Sequence, residues 1–122
     1  MPAEKHILVI EDDADVRAAL AEALRDAGLR VDLAADGVNA LEELRSGPPP
    51  SVIVLDLRMP RLGGSEFLRE MRADPRFEHV PVITMTAGAD PPEGDVLAHL
   101  EKPFDLDDLL EIVLSLTEAS AA

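Results

Sequence analysis

Val52-Ile53-Val54-Leu55 is apolar at every position and runs straight into Asp56. A strand with one solvated face alternates apolar and polar side chains. An unbroken run is instead buried on both faces, as in a parallel sheet with helices packed on either side. His6-Ile7-Leu8-Val9-Ile10 repeats the pattern and ends in Glu11-Asp12-Asp13. Val80-Pro81-Val82-Ile83 begins a fourth strand and Val96 to Leu100 reads as a fifth. Val31-Asp32-Leu33-Ala34 alternates, which predicts a half-exposed edge strand.

Helical periods fill the gaps. Val16, Leu20, Ala23, Leu24 and Ala27 form one stripe, with Asp13 or Asp15 available as the cap and Gly28 at the far end. Asp36 can cap a second helix carrying Leu41 and Leu44, which stops at Gly47-Pro48-Pro49-Pro50. Gly63-Gly64-Ser65 opens a third, with Phe67, Leu68 and Met71 inward. The last starts near Asp105 and places Leu106, Leu109, Leu110 and Val113 at i, i+3, i+4, i+7. Strand and helix in regular alternation specify a doubly wound parallel sheet.

The 122 residues suit one domain spanning 1–122, and 47% hydrophobic content is ample for a core. A formal charge of -14 argues against nucleic acid and against an anionic membrane surface. Without cysteine there is no disulfide, thiol nucleophile or thiolate metal site. No apolar run approaches a membrane span, and Met1 to Lys5 reaches the first strand without a signal-peptide core, so the expected location is cytoplasmic.

In open parallel sheets the working site lies beyond the carboxyl ends of the strands. Glu11, Asp12, Asp56, Thr86 and Lys102 all fall at such ends. Each has a plain alternative: the acids can cap a helix or shape a turn, Thr86 can end a strand, and Lys102 can be a solvated cation. Converging, they make a phosphoryl-acceptor set. Carboxylates hold Mg²⁺, a further carboxylate attacks, an ammonium neutralises the transferring group, and a hydroxyl bonds a new phosphoryl oxygen.

Ile7 to Asp13, Asp56-Leu57-Arg58-Met59-Pro60-Arg61-Leu62-Gly63-Gly64, Pro81 to Ala87 and Glu101-Lys102-Pro103-Phe104 together resemble the receiver domain of bacterial response regulators, the CheY-like family. The resemblance covers nearly the whole chain. It implies a flavodoxin-like five-stranded sheet of order 2-1-3-4-5. It makes Asp56 the phosphoacceptor, with Glu11, Asp12, Asp56 and the Arg58 backbone carbonyl around Mg²⁺. Thr86, Ala87 and Lys102 would contact the phosphoryl group, and a cis peptide would precede Pro103. The implied donor is a phosphohistidine on a sensor histidine kinase or a histidine phosphotransfer protein, and the output is a downstream protein target. Such a receiver catalyses its own phosphorylation and dephosphorylation.

Two positions depart from the family's pattern. Its aromatic switch position is His99 here, which is open to two readings: a switch, or only an edge-strand side chain. Thr86 and Lys102 are sixteen positions apart, closer than the pattern, and Ala87 to Asp95 holds two prolines and two glycines. A parallel crossover normally needs a dozen or more residues. The fourth helix of the pattern is therefore expected to be absent or rudimentary. One face of the last two strands would lose its cover and become a surface for a partner or a homodimer.

Rival functions have weaker support. An aspartyl-phosphate phosphohydrolase typically carries a second Asp two residues after the nucleophile, where this chain has Arg58. Neither a Gly-x-Gly-x-x-Gly turn nor a P-loop is present. The alternative that stays open is a receiver-like interaction module that works without phosphorylation.

Overall fold

The strand that ends in Asp56 lies in the middle of the sheet. In a computed structural model describing residues 5–59, 61–87 and 96–121, β3 (Val52–Asp56) pairs in parallel with β1 (His6–Ile10) on one side and β4 (Val82–Thr86) on the other. All five residues of β3 and of β4 are buried, as strands covered on both faces require. β2 (Arg30–Ala34) and β5 (Ala98–Glu101) close the two edges, giving the order β2-β1-β3-β4-β5.

α1 (Ala14–Asp26) and α4 (Leu106–Ala121) cover one face of the sheet. There Leu20, Ala21, Leu24, Leu109 and Val113 pack on Ile7, Val9, Val54, Ile83 and Met85. α2 (Gly37–Arg45) and α3 (Gly64–Arg72) cover the other, with Leu41, Leu44, Phe67, Leu68 and Met71 on Leu8, Ile10, Ile53 and Leu55. Alternate residues of each strand therefore serve opposite cores. Asp13 caps α1 by accepting from the Asp15 and Val16 amides, and Asp36 caps α2 through the Asn39 amide. Ala27, expected on the buried stripe, is instead the exposed C-cap of α1, and Ala21 takes the inward position.

The last two strands begin later than their apolar residues suggest. Pro81 has no N–H to give a ladder, so it contributes only its carbonyl, to the Ile53 amide at 3.0 Å, and β4 starts at Val82. The turn before it is gathered by Arg72, whose Nη1 donates to the carbonyls of Phe77, Glu78 and Val80. β5 runs from Ala98 to Glu101 rather than from Val96, because Leu97 donates to Val82 only at the ladder's approach. The described residues carry four helices, none between β4 and β5, consistent with a fourth helix of the pattern that is rudimentary or short. Residues 88–95, on which that expectation rests, lie outside the described residues. β4 is buried throughout, whereas the edge strand β5 is only partly buried and Leu97 beside it is 57% exposed.

The loop after β3 is pressed against both helices of its face. A Cβ on Gly64 would lie 2.7 Å from Leu57 Cα and 3.0 Å from the Asp56 carbonyl; one on Gly37 would lie 2.5 Å from the Leu62 carbonyl. Only glycine permits these approaches. Gly64→Ala should therefore cost about 1–3 kcal/mol in chemical denaturation, since the obstructing atoms are backbone.

Candidate functional site

Parallel pairing brings the ends of β1, β3 and β4 to one edge, and their terminal side chains meet there. Glu11 follows β1 directly and is fully buried, while Asp56 ends β3 at 4% exposure. One carboxylate oxygen from each of Glu11, Asp12 and Asp56 lies within 4.8 Å of the others. Two like charges at that separation repel by about 3–4 kcal/mol at an effective dielectric of 20, so the cluster needs a proton or a cation.

Lys102, just beyond β5, supplies one cation. Its Nζ donates to Glu11 Oε1 at 2.5 Å and lies 3.7 Å from Asp56 Oδ2. The Lys102 amide donates to the Thr86 carbonyl at 2.8 Å, and the Lys102–Pro103 peptide is cis. The Arg58 amide donates to Asp56 Oδ1 at 3.1 Å. Burial pushes the Asp56 carboxyl up to about 7, helped by its hydrogen bond with Glu11 and opposed by the Arg58 amide and by Lys102. Burial works against the Lys102 ammonium, yet its Glu11 bond and the charges of Asp56, Glu11 and Asp12 hold it above its ordinary value.

The donor set fits a small hard cation. Oxygens at about 2.1 Å from an octahedral Mg²⁺ are separated by at most about 4.2 Å, so three carboxylates within 4.8 Å of each other need move only slightly to share one ion. A raised Asp56 and a single ammonium serving two buried acids both point to charge that a divalent ion would balance.

Of the remaining predicted site residues, Thr86 is buried at the end of β4 and Ala87 is exposed beside it. Ala87 lines an apolar groove with Val16, Leu20, Pro103, Phe104 and Leu106. His99 does not join the carboxylates. It stands across the ladder from Thr84, whose Oγ1 is 2.7 Å from His99 Nδ1, and its buried Nε2 has no hydrogen-bond partner among the described residues. Three features were not anticipated. Arg17 donates to the carbonyls of Glu11 and Asp12. Thr84 holds His99. Arg61, at φ 66, reaches Asp36 Oδ2 at 3.4 Å. Arg17 was findable: it lies four residues after the cap Asp13, so its side chain points back over the acidic turn.

Residues 7–114 match the family model of the response regulator receiver domain. The chain belongs to that family. It is 40% identical over 113 residues to the response regulator MprA of Mycobacterium ulcerans, covering 85% of this chain and 46% of that protein. The chemotaxis response regulator CheY4 of Vibrio cholerae superposes with a TM-score of 0.85 at 28% identity, covering 93% of this chain and 99% of that one. The receiver domain of the sensor histidine kinase PA1611 of Pseudomonas aeruginosa, solved with magnesium in its active-site cleft, gives 0.85 at 31% identity over 93% and 98% of the two chains. This receiver spans about half the length of the curated response regulators it matches. No helix among its described residues is long and apolar enough to cross a membrane.

The raised Asp56 carboxyl gives the metal-free receiver a signed pH dependence. Between pH 3.8 and about 7 the folded chain keeps a proton on Asp56 that the unfolded chain releases. This group's contribution to stability therefore falls as pH rises through that window and is most unfavourable above it. Asp56→Asn in EDTA should raise unfolding free energy at pH 8 by about 2 kcal/mol, with the gain shrinking toward pH 5. Denaturant titrations at the two pH values check this.

Proposed function

We propose that this receiver is a phosphorylation-switched signalling module that accepts a phosphoryl group onto Asp56 in a Mg²⁺-dependent reaction. The observation that carries this reading is the grouping of Asp56 with Glu11, Asp12 and Lys102 at one sheet edge. The donor on this reading is a phosphohistidine of a sensor histidine kinase or a histidine phosphotransfer protein, and the setting is cytoplasmic.

Asp56 is suited to attack because the Arg58 amide fixes Oδ1 and leaves Oδ2 toward Lys102. Its oxygen forms a bond to phosphorus as the phosphorus–nitrogen bond of the donor breaks and the electron pair leaves with the imidazole. Glu11, Asp12, Asp56 and the Arg58 carbonyl would hold the Mg²⁺, whose chemistry is to offset negative charge on the transferring group. Lys102 shifts from a bond with Glu11 toward the new phosphoryl oxygens, a move within reach of its present position between the two acids. Thr86, buried at the neighbouring strand end, offers its hydroxyl to the same group, and Ala87 its backbone. New charge at Asp56 then biases the loop after β4.

Intact-mass measurement after incubation with Mg²⁺ and acetyl phosphate should show one added phosphoryl group on wild type and none on Asp56→Asn. No addition to wild type would leave an interaction module that works without phosphorylation. Lys102→Met should keep the fold and slow the initial rate of labelling by about tenfold to a hundredfold, read from the same mass assay over time.

A further inference from the structure

The three carboxylates of the site are not held equally. Glu11 accepts from Lys102 Nζ and, at 3.4 Å, from the Asp13 amide. Asp56 accepts from the Arg58 amide. The Asp12 side chain is exposed, and among the described residues no hydrogen bond holds its carboxylate. Its direction is therefore inherited from the backbone of the acidic turn.

That backbone is clamped by Arg17. Its Nη1 donates to the Glu11 carbonyl at 2.8 Å and to the Asp12 carbonyl at 3.4 Å, drawing two consecutive peptide groups toward one donor. The Arg17 amide meanwhile donates to the Asp13 carbonyl at 2.8 Å, and Asp13 caps the helix that carries Arg17. The turn and the first part of α1 form one closed unit, with Arg17 as its only side-chain cation among the described bonds. Partners that orient metal ligands without touching the metal commonly govern affinity.

We propose that Arg17 is a positioning residue for the cation site, aiming the Asp12 carboxylate at the point it shares with Glu11 and Asp56. The proposal rests on the reading of this edge as a Mg²⁺-dependent phosphoacceptor. Charge and position make opposite demands here. Were Arg17 only a nearby positive charge, removing it would tighten binding of a dication. As a clamp, its removal lets Asp12 swing into solvent and weakens binding. Solvent around the exposed Asp12 raises the local dielectric and weakens that repulsion, whereas the charge-assisted bonds to the two carbonyls are direct, so the clamp prevails.

The test is the rise in melting temperature across a Mg²⁺ titration of the full chain, which yields an apparent Kd together with the metal-free melting temperature. Arg17→Gln, and in parallel Arg17→Met, which keeps the apolar stem, should raise that Kd about tenfold. In an Asp12→Asn background, Arg17→Gln should add no further loss, because the side chain it aims no longer carries the ligand charge. Unchanged or tighter Mg²⁺ binding in both Arg17 variants overturns the proposal, as does a lower metal-free melting temperature with unchanged Kd. A further tenfold loss in the Asp12→Asn background overturns it too. Failure of wild type to respond to Mg²⁺ overturns the functional reading itself, and this inference with it.

Discussion

Three carboxylates from two strand ends are forced within 4.8 Å of each other at the edge of this sheet, and an ammonium from a third element lies between two of them. The fold does not create that crowding to stabilise itself. Each carboxylate pair costs a few kcal/mol at the effective dielectric of a protein site, and burial, helped by the neighbouring Glu11, pushes the Asp56 carboxyl up to about 7. The cost is borne by the strands beneath. β3 and β4 are buried at every residue and anchor the edge in apolar packing on both faces. A site of this kind is poised: a proton, a divalent ion or a transferred group each relieves it in a different way.

The loops around the edge are held by short local devices as well as by the packing of Leu57, Met59 and Leu62 on the core. Gly37 and Gly64 let the loop after β3 lie against the starts of α2 and α3. Arg61 takes a left-handed backbone conformation that costs a non-glycine residue of the order of 1 kcal/mol, and its guanidinium faces the buried Asp36 that caps α2. Arg17 closes the turn on the other side of the cleft. These devices fix the direction of backbone and side chains at the site.

Most of the fold was legible because its signals are local. Continuous apolar runs at Ile7–Ile10 and Val52–Leu55 announce burial on both faces, and Asp13 and Asp36 announce helix starts by a hydrogen bond that closes within three residues. Where the reading slipped, a nonlocal contact decided. Val80 is apolar and buried, yet Pro81 cannot pair and Arg72 draws the preceding turn out of the ladder, so the strand waits for Val82. Ala27 falls on the helical stripe but lies past the last turn, as the exposed C-cap. His99 was placed by its position in a motif, and its bond to Thr84 depends on a register between two strands that periodicity does not specify.

Sequence alone determined the strand and helix alternation, the acids at the ends of the first and third apolar runs, and hence the edge at which chemistry would gather. Those properties follow from side-chain polarity and spacing within a few residues. Tertiary structure alone decided that Glu11, rather than solvent, partners Lys102 across ninety-one positions of chain, and that burial lifts Asp56. Such outcomes turn on distances of a few ångströms between elements remote in the chain, and on the water that packing excludes between them.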